Sequence, residues 1–476
     1  MAKLLFLQNL EYELLGPMYI SSMVKSHGHE CRLALGKHLG DFAGVIEEYC
    51  PDMVGFSVMS GSHVWAVEIA GEIKEKYGIL NVFGGPHPTF FPEFIEEPNV
   101  DILVRGEGED AMLDILNCIE AKRCLEKENI SNTSIKTKDG IILNNPLRNL
   151  RNDLDGYPFP DRYLYDDLEG RIDRTVRSVI TSRGCPYNCT FCFNDSARKM
   201  YDGKGRYVRI RSIDKVIEEC LELKRKANVK TIFFMDDVFG LNKKWLYEFL
   251  PVFKREIGLE FVCLVRADIV ASDEEYAFRL AEGGCRTADF GIESGSERLR
   301  NVLLKKRITN SQIAMAADFL HRAGIKFKTF NILGLPGETM EEAFSTVDLN
   351  IAIKADYPWC SIFLPLPKTK LTEYAVEQGY IDKEFLHSIP KSFFVSSALK
   401  NPHCNELVNL QKFFQTVVLW PKALPLARLL IKMKSNVLFK MWFGLIYFYV
   451  HIKSENRSFW STFKFAIRNF KHVIGK

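Results

Sequence analysis

Residues 183–192 read Arg-Gly-Cys-Pro-Tyr-Asn-Cys-Thr-Phe-Cys and bring three thiols, Cys185, Cys189 and Cys192, onto one short segment. Three thiolates this close can hold three corners of an iron–sulfur cube, whereas an ordinary electron-transfer cluster takes four cysteines. The nearest downstream cysteine is Cys220, which is well removed in sequence. The segment therefore predicts a cubane cluster with one iron left open for a substrate.

A structural zinc site is the main alternative interpretation of the same cysteines. Such a site needs four ligands, typically as two close pairs, and His87 and His321 are distant in sequence. A disulfide framework fits less well, because twelve cysteines in 476 residues without a signal peptide indicate a reducing cytoplasm. The spacing favours the cluster.

The first 120 residues alternate strand-like and helix-like patterns. Predicted strands occupy residues 4–7, 31–35, 53–57, 81–83 and 102–104. Predicted helices occupy residues 18–26, 42–49, 64–77 and 110–119. This alternation is typical of a parallel sheet covered on both faces, in which ligands bind beyond the carboxyl ends of the strands. The loops at those ends contain the predicted ligand contacts Ser57, Met59, Gly84, Gly85 and Glu107.

The middle of the chain repeats this alternation of strands and helices. Predicted strands occupy residues 178–182, 231–235, 261–266, 287–292, 327–333 and 361–364. Six strands with helices between them predict an incomplete (β/α) barrel, with catalytic groups at the strand ends. The three cysteines directly follow the first of these strands.

The cysteine spacing, with Phe191 before the last cysteine, resembles the motif of radical S-adenosylmethionine (SAM) enzymes. Residues 233–239, 290–296 and 332–338 also resemble strand ends of that superfamily, so the resemblance extends over residues 178–375. It implies a 4Fe–4S cluster held by the three cysteines, with SAM bound at the open iron. It also implies that SAM is cleaved to methionine and a 5′-deoxyadenosyl radical.

The same resemblance implies which residues contact SAM. Asp236 and Asp237 correspond to the contact with the methionine amine, which a carboxylate binds by a charge-assisted hydrogen bond. The candidates for the methionine carboxylate, the ribose and the adenine are, in that order, Arg266, Glu293 with Ser294, and Ile332. A helix cap, a surface ion pair or a core position would explain the same residues without any ligand.

Placed before such a barrel, the N-terminal pattern resembles the cobalamin-binding domain of one large radical SAM subgroup. Many cobalamin domains carry DxHxxG after the first strand. Residues 11–16 read Glu-Tyr-Glu-Leu-Leu-Gly here, with Glu13 at the histidine position. The resemblance therefore implies base-off cobalamin without a histidine ligand, and a domain that binds nothing is the alternative. A second departure from the subgroup is Lys368, which stands where the usual Pro-Gly-Thr has its glycine.

The predicted fold class is α/β, in four parts. Residues 1–125 form a Rossmann-like cobalamin-binding domain, and residues 126–177 form a hairpin and a proline-punctuated linker. Residues 178–385 form a partial (β/α)6 radical SAM barrel of the TIM type, and residues 386–476 form a helical, basic and apolar extension. A hydrophobic content of 47% and a charged content of 26% are ordinary for a globular chain.

The resemblance implies a cobalamin-dependent methyltransferase that acts on an unactivated carbon, with a reductant such as flavodoxin or ferredoxin. The radical would remove hydrogen, cobalamin would offer a methyl group, and a second SAM would restore that group. An oxidative cyclase or carbon–carbon coupling enzyme, like the anaerobic tetrapyrrole cyclases, uses the same cofactors and stays open as an alternative. A non-catalytic cobalamin or redox sensor is a third hypothesis, against which the intact cluster motif argues.

The C-terminal segment carries most of the chain's charge asymmetry. Residues 421–476 contain eleven Lys or Arg against one acid, Glu455, so they carry +10 and residues 1–420 carry −7 of the overall +3. The uncharged stretch 441–452 is too short for a membrane span, which needs roughly 20 residues. A helix packed on the barrel and a membrane-surface helix with basic anchors both fit. Membrane contact would favour a lipid, isoprenoid or tetrapyrrole substrate, whereas nucleic acid fits less well because no binding module is recognised.

Overall fold

The structure, a computed structural model, describes residues 1–168, 172–226, 228–382 and 399–455. The chain divides into two units, and each unit is built from two separate stretches of the chain. The N-terminal unit comprises Met1–Asp173 together with Ala197–Tyr207. The barrel unit comprises Arg174–Ser196 together with Val208–Lys476. The chain therefore enters the barrel unit, returns to the N-terminal unit for a short segment, and enters the barrel unit again.

The N-terminal unit contains a single seven-stranded sheet among its described residues. Its strands are β1 (Lys3–Gln8), β2 (Glu30–Leu35), β3 (Met53–Ser57), β4 (Leu80–Gly84), β5 (Ile102–Val104), β6 (Thr133–Lys136) and β7 (Ile142–Asn144). Its helices are α1 (Leu15–Ser26), α2 (Leu39–Tyr49), α3 (His63–Tyr77), α4 (Pro86–Phe90) and α5 (Glu109–Glu120). The strand order is β2-β1-β3-β4-β5-β6-β7. The first five strands are parallel, and β6 and β7 extend the sheet as an antiparallel hairpin.

The central strand β1 explains why this sheet is covered on both faces. Leu4 and Phe6 pack into one hydrophobic cluster, whereas Leu5 and Leu7 pack into another. Successive side chains of a strand point to opposite faces, so an uninterrupted apolar run requires cover on each side. Because both faces of the sheet are covered, the loops that can bind a ligand lie at the carboxyl ends of the strands.

The barrel unit contains six parallel strands in sequential order. Strands after the hairpin are β8 (Val176–Val179), β9 (Ser182–Arg183), β10 (Arg209–Ile210), β11 (Thr231–Phe234), β12 (Glu260–Leu264), β13 (Cys285–Glu293), β14 (Lys328–Leu333) and β15 (Tyr357–Ile362). The six-stranded sheet has the order β15-β14-β13-β12-β11-β8, and β9 pairs with β10 in a separate antiparallel ribbon. The sequential parallel order is that of a partial (β/α)6 barrel.

The helices of the second half lie between the barrel strands and after them. They are α6 (Phe193–Met200), α7 (Ile213–Arg225), α8 (Lys243–Glu256), α9 (Ala267–Ala271), α10 (Glu274–Gly283), α11 (Asn310–Arg322), α12 (Met340–Ala352), α13 (Lys370–Glu377), α14 (Cys404–Leu419), α15 (Leu424–Leu430) and α16 (Val437–Glu455). Helix α14 packs along the edge strand β15. Helix α16 packs on α14, where the Phe439 and Phe413 ring centroids are 4.9 Å apart and Trp442 Nε1 donates to Thr416 Oγ1 at 2.8 Å.

Aromatic side chains fill the core beneath β11 and β12. Phe234 stacks on Phe239 with 4.6 Å between ring centroids. Phe234 also meets Phe249, Phe253 and Phe261 edge-on, at 5.7, 5.6 and 5.4 Å. Contacts of this kind stabilise a core by about 0.5–1.5 kcal/mol per pair beyond the burial of apolar area. They hold β11 and β12 rigidly, and both strands end at the candidate site.

The observed elements confirm the α/β prediction, with two differences at strand ends. The last barrel strand begins earlier than predicted, at Tyr357, because Pro358 is tolerated in an edge strand that does not need its N–H. The first barrel strand, β8, ends at Val179, because Ser182 and Arg183 form β9, which pairs with β10. Residues 386–398 and 456–476 of the predicted extension lie outside the described residues. Within the described ranges, no helix is both long enough and apolar enough to cross a membrane.

The loop after β14 contains a buried carboxyl group, that of Glu338. One of its oxygens accepts backbone hydrogen bonds from Gly334 and Leu335. The other oxygen has no hydrogen-bond partner in the part of the chain that the structure describes. Burial raises the pKa of Glu338 to about 8. The native state therefore binds a proton that an unfolded glutamic acid, with a pKa of about 4.3, would release, and the stability from this group is lost as the pH rises through 8.

We expect Glu338→Gln to flatten the fall in Tm as the pH is raised from about 4.3 to about 8, the range in which only the native state holds this proton. An amide keeps an acceptor oxygen for the two backbone donors and does not ionise. Thermal unfolding at a series of pH values measures the effect. Glu341→Gln, at an exposed position on α12, is the matched control and should keep the wild-type pH dependence. An unchanged slope in Glu338→Gln would contradict the assignment.

Candidate active site

A buried carboxylate holds the start of the cysteine segment. Asp236, two residues beyond β11, is 1% exposed. It accepts hydrogen bonds from Thr181 N at 3.1 Å, from Thr181 Oγ1 at 2.8 Å and from Ser182 Oγ. Burial raises the pKa of Asp236 to about 6, although these hydrogen bonds act in the opposite direction. The carboxylate thus ties the approach to the cysteines to the end of the neighbouring strand.

An arginine holds the middle of the segment through the ring of Tyr187. Tyr187 lies between the first two cysteines in sequence. Arg266 Cζ lies 3.4 Å from the centroid of the Tyr187 ring. The guanidinium is itself fixed by two hydrogen bonds to the Asp268 carboxylate, at 3.0 and 3.1 Å, and by one to the Lys306 carbonyl at 3.0 Å. The structure therefore places Arg266 beside the cysteines. Its contact with the methionine carboxylate stays a prediction.

Thr190 holds the end of the segment through three hydrogen bonds. Its N–H donates to the Leu304 carbonyl at 3.0 Å, and its Oγ1 donates to the Leu303 carbonyl at 2.7 Å. Its own carbonyl accepts from Leu371 N at 2.9 Å. The segment that carries the cysteines is thus anchored at its beginning, middle and end.

The three thiols are half-buried and interact electrostatically with one another. Burial raises the pKa of Cys185 to about 11, and the proximity of Cys192 and Cys189 adds to the rise. Burial also raises the pKa of Cys192. Asn194 Nδ2 lies 3.7 Å from Cys192 Sγ and donates to Asp237 Oδ1 at 2.8 Å. Of the two predicted amine-binding carboxylates, Asp237 is thus the exposed one beside the thiols.

The donor set fits a cubane cluster. Over the ranges that the structure describes, no three His, Cys, Asp or Glu side chains converge as the ligands of a single metal ion would. In a cubane each thiolate binds a different iron atom, so thiols spread along one loop need not converge on a point. None of the twelve cysteines forms a disulfide, and all three thiols of the segment are free to bind iron.

The end of β13 contains the predicted ribose contacts. Glu293 has a φ of 65° and its Oε1 accepts from Lys306 Nζ at 2.6 Å, which makes a buried ion pair. Lys306 Nζ also lies 6.0 Å from the Phe191 ring, so this ion pair borders the cysteine segment. Ser294 is fully buried, and its hydroxyl accepts a backbone hydrogen bond at 3.2 Å.

Two residues farther along the barrel complete the predicted set. Ile332 is half-buried and packs against the same hydrophobic cluster as Phe191 of the cysteine segment. Lys368 has a φ of 64°, in the left-handed region that favours glycine. Its carbonyl accepts from Ser196 Oγ at 2.9 Å. At this position the backbone therefore adopts a conformation that favours glycine, although the residue is a lysine.

In the N-terminal unit, the loops after β3 and β4 are bonded to each other. Val58 N donates to the Gly84 carbonyl at 2.9 Å. Gly85 has a φ of 96°, and a Cβ built on it would lie 2.9 Å from the Val58 carbonyl oxygen and 3.2 Å from Ser57 Oγ. A Cβ built on Gly84 would approach only the Val104 carbonyl oxygen, at 3.8 Å. The surface beside Gly84 is therefore open enough for a large ligand to reach the backbone.

Stacked imidazole rings lie against these loops. The His63 and His87 ring centroids are 3.8 Å apart, and His87 Nδ1 lies 3.0 Å from Ser60 Oγ. Burial lowers the pKa of both histidines, and that of His87 falls to about 3. The stack is therefore uncharged at neutral pH. Met59, in the same loop as Ser60, is 47% exposed and available for ligand contact.

The loop after β5 is fixed by a tyrosine from the returning segment. Tyr201 Oη accepts from Glu107 N at 3.1 Å, and Asn132 Nδ2 donates to the Glu107 carbonyl at 2.7 Å. Gly106 has a φ of 74°, and a Cβ built on it would lie 1.7 Å from Tyr201 Oη. Only glycine fits there.

Glu13, at the position of the histidine in DxHxxG, is engaged inside the N-terminal unit. Its Oε2 lies 3.9 Å from Arg162 Nη1, and both side chains are buried. The carboxylate is thus held by an arginine. The open glycine-containing loops fit an extended cofactor, and nothing in the donor set at Glu13 supplies an imidazole ligand.

Two family profiles match this chain. The radical SAM superfamily matches residues 179–349, and the B12 binding domain matches residues 9–116. An uncharacterized methyltransferase of Pyrococcus horikoshii is 33% identical over 375 residues, which cover 77% of this chain and 79% of the relative. The chain belongs to the cobalamin-binding radical SAM family. It is accordingly an enzyme whose cofactors are a 4Fe–4S cluster, SAM and cobalamin.

Two further proteins are similar to this chain over most of its length. The anaerobic magnesium-protoporphyrin IX monomethyl ester cyclase of Rubrivivax gelatinosus is 27% identical over 363 residues, covering 74% of this chain and 62% of the cyclase. The radical SAM methyltransferase TsrM from Kitasatospora setae matches in structure with a TM-score of 0.65 and 19% identity, covering 79% of this chain and 76% of TsrM. That likeness shows the fold, and the predicted fold class is confirmed.

Several residues of the site were not found from the sequence. Tyr187 lies between the cysteines, so its position was visible, but nothing in the sequence indicated its partner Arg266. Lys306 contacts Glu293 in the barrel unit, and Tyr201 contacts Glu107 in the N-terminal unit. No local sequence pattern encodes either contact. Asn194 could have been found from the sequence, because it is an amide residue only two positions after Cys192.

We expect Asp236→Ala to lower the free energy of unfolding by about 3 kcal/mol, because buried donors of Thr181 and Ser182 lose their acceptor. The iron content after anaerobic reconstitution should fall with it, since the start of the cysteine segment is no longer held. Asp318→Ala, exposed on α11, is the control. Wild-type iron stoichiometry in Asp236→Ala would show that the anchor is dispensable.

We expect Tyr201→Phe to cost about 1 kcal/mol of stability and to weaken cobalamin binding, because Glu107 N loses its acceptor and the loop after β5 loosens. Absorbance titration with hydroxocobalamin measures the dissociation constant without turnover. Tyr163→Phe, at a side chain that is 69% exposed, should leave both quantities unchanged. Equal affinities in wild type and Tyr201→Phe would refute a role of this hydroxyl in the cofactor loop.

Proposed function

We propose that this enzyme transfers a methyl group to an unactivated carbon of a small-molecule substrate. The observation that carries the proposal is the anchored loop with three half-buried thiols, in a chain that also contains a B12 binding domain. When bound, the cluster supplies the electron that cleaves SAM to methionine and a 5′-deoxyadenosyl radical, and cobalamin supplies the methyl group.

The residues around the thiols take separate roles in this proposal. Cys185, Cys189 and Cys192 hold three irons. Asp237 is exposed beside them and accepts a hydrogen bond from the methionine ammonium. Asp236 already accepts hydrogen bonds from the segment that precedes the cysteines. A carboxylate in such a position forms a charge-assisted hydrogen bond. The charged guanidinium of Arg266 lies against the same segment and suits the methionine carboxylate.

The remaining predicted contacts serve the other parts of the two cofactors. Glu293 has one oxygen committed to Lys306, and the other suits a ribose hydroxyl. Ser294, which is fully buried, supports the turn after β13, and Ile332 offers an apolar surface to the adenine. The proposed cobalamin contacts are Ser57, Met59, Gly84, Gly85 and Glu107, and Glu13 holds its loop through Arg162.

An oxidative cyclase is the second candidate function. It is supported by the 27% identity to the cyclase of Rubrivivax gelatinosus. Methyl transfer is preferred because the relative from Pyrococcus horikoshii, named a methyltransferase, is more similar and is covered over a larger share of its length. A sensor without catalysis has no comparable support.

The proposal extends to partners and location. A lipid, an isoprenoid or a tetrapyrrole is the proposed substrate class, and a flavodoxin or ferredoxin is the proposed reductant. The enzyme is proposed to work anaerobically in the cytoplasm, with peripheral membrane contact through its C-terminal extension and no nucleic acid partner. The free state of all twelve cysteines is compatible with a reducing compartment.

We expect the reconstituted protein to form 5′-deoxyadenosine and S-adenosylhomocysteine together when it methylates a substrate. The incubation contains dithionite, hydroxocobalamin, methyl-labelled SAM and a small-molecule extract of the source cells. Both products are quantified by chromatography, and the label is followed into the extract.

Cys189→Ala is the control and should form no 5′-deoxyadenosine. A labelled product is required for methyl transfer. Substrate conversion with 5′-deoxyadenosine but without S-adenosylhomocysteine would overturn methyl transfer in favour of cyclisation. Retention of cobalamin-dependent function in Cys189→Ala cells would favour the sensor.

A further inference from the structure

Helices α15 and α16 expose apolar side chains on the surface of the barrel unit. Ten of the twenty-one exposed large hydrophobic residues in the described parts of the chain lie between positions 420 and 449. On α16, Leu438, Met441 and Leu445 are 71, 53 and 65% exposed and recur every three or four residues. Leu426 and Leu429 on α15 are 60 and 67% exposed. The exposed side chains on α16 form a stripe along one side of that helix, and apolar exposure of this kind marks an interaction surface.

The opposite side of α16 is already used for packing. Phe439, Phe443, Ile446 and Val450 are buried, and Phe439 reaches the main barrel core. The helix is therefore apolar on its exposed side as well as on the side that packs against the rest of the described chain. Its exposed side is not explained by core packing.

Basic side chains occur along the same segment of the chain, and one of them, Arg428, lies with its Cζ 3.7 Å from the centroid of the Phe344 ring. Lys422, Arg428, Lys432, Lys434 and Lys440 lie on or beside the two helices. None of the five forms an ion pair in the part of the chain that the structure describes. Residues 456–476, which follow α16, add five Lys or Arg and no acid to the sequence. The surface combines apolar area with uncompensated positive charge.

We infer that the exposed face of α15 and α16 docks on the surface of an anionic phospholipid bilayer. Leu and Met side chains enter the boundary between headgroups and acyl chains, while the basic residues meet lipid phosphates. Each Lys or Arg near an anionic surface contributes about 1 kcal/mol, or about a fivefold increase in binding. The inference specifies the membrane contact included in the proposed function, but it does not depend on turnover.

Other occupants satisfy only part of this surface. In a symmetric dimer the same patch meets itself, so the five unpaired cations would oppose one another. A nucleic acid would match the charge, but it would leave exposed aliphatic side chains such as Leu438 and Leu445 without apolar contact. An anionic bilayer supplies both phosphate and hydrocarbon.

The experiment is cosedimentation of the full-length, anaerobically purified protein with vesicles. Phosphatidylcholine vesicles are compared with vesicles that also contain phosphatidylglycerol, at low and high salt. Wild type should bind the anionic vesicles at least tenfold more strongly than the neutral ones, and salt should weaken binding. The double variant Leu438→Ser with Leu445→Ser, and separately Lys432→Gln with Lys434→Gln, should each lower partitioning about tenfold or more.

The matched control replaces exposed apolar residues elsewhere on the barrel unit. Phe278→Ser with Met315→Ser, on α10 and α11, should bind vesicles like wild type, because these residues are 39 and 43% exposed but lie outside the face. Circular dichroism and iron content establish that each variant is folded. Failure of folded wild type to bind anionic vesicles overturns the inference. Binding as strong as that of wild type by both the leucine and the lysine double variants also overturns it. A wild-type dimer that Leu438→Ser with Leu445→Ser makes monomeric would assign the face to a second copy. Any of these results leaves methyl transfer untouched.

Discussion

The buried carboxylate of Asp236 is the constraint on which the candidate site depends. It gathers the hydrogen-bond donors of Thr181 and Ser182 at the carboxyl end of β8, and so decides where the cysteine segment leaves the barrel. Arg266 and Thr190 then hold that segment at its middle and end, from other parts of the barrel. Because each anchor belongs to a different part of the barrel, the thiol positions follow from the barrel as a whole and not from the loop alone.

In each unit, some of the buried ionisable groups are paired or uncharged. Glu293 is neutralised by Lys306, and Glu13 by Arg162, while burial keeps His87 neutral. An isolated buried charge would be costly, so these pairings are what allow polar residues to stand near the strand ends.

The strands, helices and cysteine segment were predictable because their patterns are local in sequence. The alternation of strand and helix, and a spacing of three and two residues between cysteines, need no knowledge of distant contacts. The division of roles between Asp236 and Asp237 was not predictable, since it depends on which of two adjacent carboxylates the chain turns inward. The contact of Tyr201 with Glu107 joins residues far apart in the chain, and the left-handed conformation of Lys368 contradicts its own side-chain preference. The predicted SAM and cobalamin contacts remain predictions.

The interrupted course of the chain has a consequence for synthesis. The N-terminal unit draws Ala197–Tyr207 from beyond the cysteine segment, and this segment supplies the hydroxyl that closes the loop after β5. A nascent chain that has emerged only as far as residue 173 therefore still lacks one of its own internal partners. The cysteine segment is therefore synthesised before the N-terminal unit has all of its parts, although the seven strands of its sheet lie within residues 3–144. A fragment that ends at residue 173 would lack one part of this unit.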